Sequence, residues 1–90
     1  MQVFGGMFFS EFRWRNSERR IPVKVFSPEI FKKARVQAGL SQFALGSRSG
    51  IAPAKISQIE NGHLVPSLVK AAALAGALGL LVDDLLKEVD

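Results

Sequence analysis

SQFALGSRSGIAPAKISQIENG, residues Ser41 to Gly62, decides the reading of this chain. Ser41 is a helix N-cap type, and the pattern after it runs to about Ser49. Gly50 then supplies a left-handed stop. Pro53 opens a further helix that ends near Asn61-Gly62. Ala52 precedes a proline and is biased to extended backbone, which suits a cap position although its methyl cannot accept a hydrogen bond. At 100° per residue, Ile56 and Ile59 fall on one side of the helix from Pro53 to Glu60, and Ala54, Ser57, Gln58 and Asn61 on the other, with Lys55 on the flank. Leu45, Ile51, Ile56 and Ile59 are the core candidates between the two helices, and Gly46 is small where they cross. A helix with a neutral, hydrogen-bonding outer face, held steeply to its predecessor by a short link, is suited to a DNA major groove.

Outward from this pair the helical pattern continues. Ser27-Pro28 opens a helix with Glu29 in its first turn, continuing through Phe31, Ala34 and Ala38 to Gly39. Ser67 caps an Ala-rich helix, LVKAAALAGALG, that ends at Gly79. A last short helix is expected over about Val82–Glu88, with Val82, Leu85, Leu86 and Val89 on one side. Residues 1–26 differ. MFFSEFRWR alternates, with Phe8, Ser10, Phe12 and Trp14 on one face, and IPVKVF alternates again after a polar link. Period two with aromatic and β-branched residues predicts two strands of a hairpin, with Pro22 confining the second to an edge. The organisation expected is an N-terminal extension over 1–26 and a helical domain over 27–90.

Bulk properties fit one small domain of 90 residues. The chain has no cysteine, so no disulfide framework and no thiolate metal site is expected, and a reducing, cytoplasmic compartment is its natural setting. MQVFGGMFF lacks a basic start, so neither a leader nor a membrane span is expected. The net charge of +4 is uneven: residues 1–28 hold five basic and two acidic residues, and residues 29–90 hold seven and six. A basic excess suits nucleic acid, and equally any acidic partner.

Residues 28–88 resemble the DNA-binding domain of the phage repressor and Cro-like family of helix-turn-helix proteins. The resemblance rests on Gly39-Leu40-Ser41-Gln42, Leu45, Gly50-Ile51, the run Ile56-Ser57-Gln58-Ile59-Glu60-Asn61-Gly62, Pro66-Ser67, Ala77-Leu78-Gly79 and Asp83-Asp84-Leu85-Leu86. It implies a mainly α, five-helix, lambda-repressor-like domain, here preceded by the hairpin. It also implies double-stranded DNA as partner. Gln42 would hold a phosphate at a helix N-terminus. Ala52, Pro53, Ala54, Lys55 and Gln58 stand where the family touches bases, and Asn61, Gly62 and His63 begin the loop along the backbone. Arg35 and Glu60 occupy the pair that ties the first helix to the third. Arg48 and Lys55 are candidates for phosphate contact or plain surface charges. The family's dimer contact falls on the C-terminal segment, here Leu81, Val82, Leu85 and Val89.

The chain departs from the family at its reading helix. Alanine replaces the usual serine or threonine at 52, and Pro53 and Ala54 replace long polar readers. Ala54 can meet a thymine methyl, and Gln58 is left as the best reader, with adenine its favoured partner. Direct readout is thin, so DNA shape, half-site spacing in a dimer and the N-terminal arm gain weight.

Other chemistries find no support. Asp83 and Asp84 are neighbours on a helix and do not converge on one point. Ser41 has no base beside it, and His63 has no second ligand, so neither catalysis, cofactor nor metal is expected. Three uses stay open for residues 1–26: a basic arm to DNA, a hairpin joining a second copy, or a site for another protein. Phe8, Phe9, Phe12 and Trp14 are the anchor types of a protein interface, and by family analogy the partner would be a toxin neutralised by an antitoxin.

Overall fold

The computed structural model describes residues 23–89. In order these form β1 (Val23–Phe26), α1 (Pro28–Gln37), α2 (Gln42–Ser49), α3 (Pro53–Glu60), α4 (Leu68–Ala77), a 3-10 turn (Val82–Leu85) and β2 (Leu86–Val89).

Three helices start on the serines expected to cap them. Ser27 Oγ accepts from the Ile30 amide at 3.2 Å, Ser41 Oγ from Ala44 at 2.9 Å, and Ser67 Oγ from Lys70 at 3.3 Å. Each satisfies one of the amides that a helix start leaves unpaired. Ala52 heads α3 with extended backbone and no side-chain cap. The stop of α1 is a paired closure: Gly39 N–H donates to Val36 at 2.9 Å and Leu40 N–H to Arg35 at 3.2 Å.

The core draws on nearly every element: Phe31 from α1, Leu45 from α2, Ile51 from the link, Ile56 and Ile59 from α3, Leu74 and Ala75 from α4, and Leu85 from the 3-10 turn. Phe26 at the end of β1 extends it, its ring 5.7 Å from that of Phe31.

The C-terminal segment corrects the sequence expectation. Four helices are present among the described residues, and the fifth, expected over Val82–Glu88, is a single 3-10 turn followed by a strand. Asp84 accepts from the Leu81 amide at 2.9 Å and closes that one turn. Leu85 then enters the core, and its carbonyl accepts from Ser27 N–H at 2.9 Å. That bond begins an antiparallel ladder in which Phe26 faces Leu86, Val25 faces Lys87, Lys24 faces Glu88 and Val23 faces Val89. The apolar spacing at Val82, Leu85, Leu86 and Val89 fits the helical period, and pairing with the edge of β1 overrides it in favour of a strand. Lys24 Nζ reinforces the junction by donating to Asp83 Oδ1 at 3.0 Å. So the second run of the expected hairpin is β1, hydrogen-bonded to the C-terminal strand, while its first run lies outside the described residues.

Candidate nucleic-acid interface

The α2–α3 pair is fixed at three points. Gly46 is the first: a Cβ there would lie 2.7 Å from the Ile51 carbonyl oxygen and 3.2 Å from Pro53 Cγ. Only glycine allows α2 to approach the start of α3 this closely. Gly50 is the second: its φ of +79° turns the chain out of α2 while its N–H donates to the Gly46 carbonyl at 2.8 Å. The third is the buried pair Ile56 and Ile59, which sets the rotation of α3 about its axis.

With the apolar side pinned, Ala54, Lys55, Gln58 and Asn61 are exposed together on the outer side of α3, and Ser57 is half-buried at its margin. Ala52 is exposed at the helix start and Pro53 half-buried behind it. Beyond Asn61, the His63 N–H donates to the Gln58 carbonyl at 2.8 Å, which folds the following loop back against α3 and leaves His63 exposed. Arg48 is exposed in the last turn of α2.

Behind this face lies a polar junction. Glu60, the last residue of α3, receives Arg35 Nε on Oε2 and Arg35 Nη2 on Oε1 at 3.1 Å. The two side chains are 11% and 2% exposed. A planar guanidinium matched to a carboxylate by two parallel bonds has the geometry that compensates burial of charge. Arg35 Nη1 also donates to the Leu40 carbonyl at 2.8 Å, tying in the α1–α2 turn. Gln42 Nε2 donates to Glu60 Oε1 at 3.0 Å. The pair of Arg35 and Glu60 is the one the family resemblance implies; the Gln42 bond is not implied by it, because the resemblance gives Gln42 and Glu60 separate jobs.

The residues assigned to a dimer contact divide. Leu81 is 72% and Val89 39% exposed, while Leu85 is fully buried. Val82 is half-buried and packs against the core. Leu85 is thus a core residue and offers no contact surface, because the 3-10 turn points it inward instead of along a helix face. Sequence reasoning missed Val65, Leu68, Val69 and Phe43, all exposed apolar side chains. For Leu68 and Val69 the available signal was α4 itself, LVKAAALAGA, which carries one charge and is apolar on every side. Phe8, Phe9, Phe12 and Trp14 lie outside the described residues.

Among the described residues no group of three His, Cys, Asp or Glu side chains stands together to hold a metal. Asp83 and Asp84 face different partners, Lys24 and the Leu81 amide. No helix among the described residues is long and apolar enough to cross a membrane.

Residues 31–85 match the family described as Helix-turn-helix, HTH_3. Among solved structures the chain is similar to the restriction-modification controller protein C.AhdI from Aeromonas hydrophila, at 31% identity and a TM-score of 0.63 over 64% of this chain and 88% of that one. It is similar to the DNA-binding domain of the P22 C2 repressor, at 31% identity and a TM-score of 0.62 over 64% and 76%. Hydroxypropylphosphonic acid epoxidase from S. wedmorenis is also similar, at 28% identity and a TM-score of 0.60 over 67% of this chain but 32% of the enzyme. No curated protein matches. The family match covers more than half of the chain, and residues 31–85 include both α2 and α3. The protein belongs to the helix-turn-helix family HTH_3 and is a non-enzymatic, DNA-binding transcriptional regulator.

Proposed function

We propose that the protein is a cytoplasmic repressor that binds operator DNA sequence-specifically as a homodimer, with α3 in the major groove. The observation that carries this reading is the face of Ala54, Lys55, Gln58 and Asn61, exposed as a set while Ile56 and Ile59 are buried behind it. Gln58 reads a base, adenine by preference, through its two-ended amide, and Ala54 meets a thymine methyl. Ala52 and Pro53 approach the groove edge. Gln42 holds a phosphate from the start of α2, and Arg48, Lys55, Asn61 and His63 flank the backbone. Exposed Leu81 and Val89, with Val82 behind them, support a contact between copies. A two-fold dimer calls for a near-palindromic operator with half-sites about one helical turn apart.

The test is fluorescence anisotropy with labelled duplex from the gene's own upstream region and with scrambled duplex. Gln58→Ala should cost about 1–3 kcal/mol and relax the preference, whereas Gln42→Ala should weaken both duplexes alike. Unchanged binding by both variants would defeat the proposed docking.

A second role, partner binding by residues 1–26, is supported by the aromatic run at Phe8, Phe9, Phe12 and Trp14, with a toxin as the partner by family analogy alone. Deleting residues 1–22 leaves β1 available to β2. Loss of a co-purifying protein with DNA binding intact would favour that added role.

A further inference from the structure

We propose that Glu60 is a positioning residue for DNA-phosphate binding: its carboxylate, clamped by Arg35, dictates which end of the Gln42 carboxamide faces outward. The proposal rests on the reading of Gln42 as a phosphate contact.

An ionised carboxylate only accepts hydrogen bonds, and so does a DNA phosphate, whereas a glutamine carboxamide has an accepting end and a donating end of nearly the same shape. A free glutamine at the start of a helix can turn either end to a phosphate, and one of the two choices sets oxygen against oxygen. In this protein the choice is made before DNA arrives. Glu60 Oε1 accepts from Gln42 Nε2 at 3.0 Å, and Gln42 has no other side-chain partner among the described residues. The flipped carboxamide would press its carbonyl oxygen against a buried carboxylate oxygen. The amide nitrogen carries two hydrogens about 120° apart. One is held by Glu60, and the second, on the same atom, is left for a phosphate.

Glu60 itself cannot drift. Both of its oxygens are engaged by Arg35, and the same guanidinium is anchored to the Leu40 carbonyl in the turn that leads into α2. The last turn of α1, the α1–α2 turn, the first residue of α2 and the last residue of α3 therefore converge on one carboxylate. Gln58 lies two residues before Glu60 on α3. The phosphate contact and the base reader are thus held in fixed register by a single buried group. Fixing a rotamer-rich side chain in its bound form lowers the ordering cost of binding.

A double-mutant cycle in the full-length chain tests this, using labelled upstream duplex and variants shown to be folded by far-UV circular dichroism. Gln42→Ala is expected to weaken binding about tenfold. Glu60→Gln is expected to do the same, although it removes a negative charge near DNA and simple electrostatics calls for tighter binding. Its amide can donate to Gln42 and release the flip. The double variant Gln42→Ala/Glu60→Gln should be no weaker than about tenfold, because both changes remove one interaction. Losses that multiply to about a hundredfold would overturn the proposal while leaving Gln42 as a phosphate contact. Parent-like binding by Gln42→Ala would overturn the docking reading and the proposal together.

A second background guards against misfolding of the single charge variant. Arg35→Met/Glu60→Met removes both charges at similar volume, a replacement that buried ion pairs tolerate. In it Gln42→Ala should cost less than about threefold, and a full tenfold cost would overturn the proposal. The free protein gives an independent readout by NMR. The two Gln42 side-chain amide protons should be distinct in the parent, one of them slow to exchange with solvent, and should lose that difference in the methionine background. Rapid averaging in the parent would overturn the proposal.

Discussion

Gly46→Ala is the sharpest test of how α3 is held. The new Cβ would stand 2.7 Å from the Ile51 carbonyl oxygen, with Pro53 Cγ and Cδ at 3.2 and 3.3 Å. A close C–H···O contact is about 3.3 Å, so the link must retreat by about 0.6 Å. The nearest atom belongs to the backbone, so no side chain can swing aside. Overpacking of this kind costs about 1–3 kcal/mol, offset by the gain of about 1 kcal/mol when alanine replaces glycine in a helix. The net is a loss of about 0–2 kcal/mol, or up to roughly 15 °C in Tm for a chain of this size. Because the displaced atoms are Ile51 and Pro53, the start of α3 moves, and operator binding should fall even at temperatures where the variant stays folded. Gly76→Ala is the control. It lies in α4, and nothing comes within 4 Å of its added Cβ. The same chemical change there should be neutral or stabilising by up to about 1 kcal/mol, with DNA binding unchanged. Thermal melts followed by circular dichroism, with anisotropy titrations, compare the two. If Gly46→Ala were as stable as Gly76→Ala and bound DNA like the parent, the claim that this contact sets the pose of α3 would be refuted.

Four further predictions concern stability. Leu85→Ala should cost about 2–5 kcal/mol in urea unfolding, since Leu85 is fully buried. Leu81→Ala, at an exposed position only four residues earlier, should stay within about 0.5 kcal/mol of the parent at concentrations where the chain is monomeric. Ala52→Ser adds the missing cap of α3 and should stabilise by about 0.5–2 kcal/mol, provided its hydroxyl reaches the free amides of the first turn. Lys24 is held above its ordinary value by its hydrogen bond to Asp83 and then by that carboxylate's charge. The folded-state value is raised, so the contribution is fully present below the free-lysine range and is lost as pH climbs through the raised value. Asp83→Asn should flatten that alkaline fall in Tm, and an unaltered alkaline limb would contradict the link.

The parts of the fold governed by local chemistry are readable in the sequence. Ser27, Ser41 and Ser67 cap because their hydroxyls reach their own helix starts, which needs no tertiary information. Ile56 and Ile59 define the inward side of α3 because a helix fixes their angle. The segment from Val82 onward is another matter. Its apolar spacing fits a helix, but the partner that makes it a strand, β1, lies more than fifty residues away in the chain. The same non-local event sends Leu85 inward and removes it from any outer face. At the site, the family resemblance implies Arg35 and Glu60 as a pair and Gln42 separately. That they share one carboxylate depends on where three helices meet, and no spacing in the sequence encodes it.

The most direct test of the central claim is a two-dimensional NMR titration of the protein with duplex from its own upstream region. The amides and side chains of Gln42, Ala54, Lys55, Gln58, Asn61 and His63 should move together at one protein-to-site ratio, with those of β1 and β2 unmoved. Shifts concentrated on the β1–β2 sheet or on α4, with the outer side of α3 silent, would contradict the account.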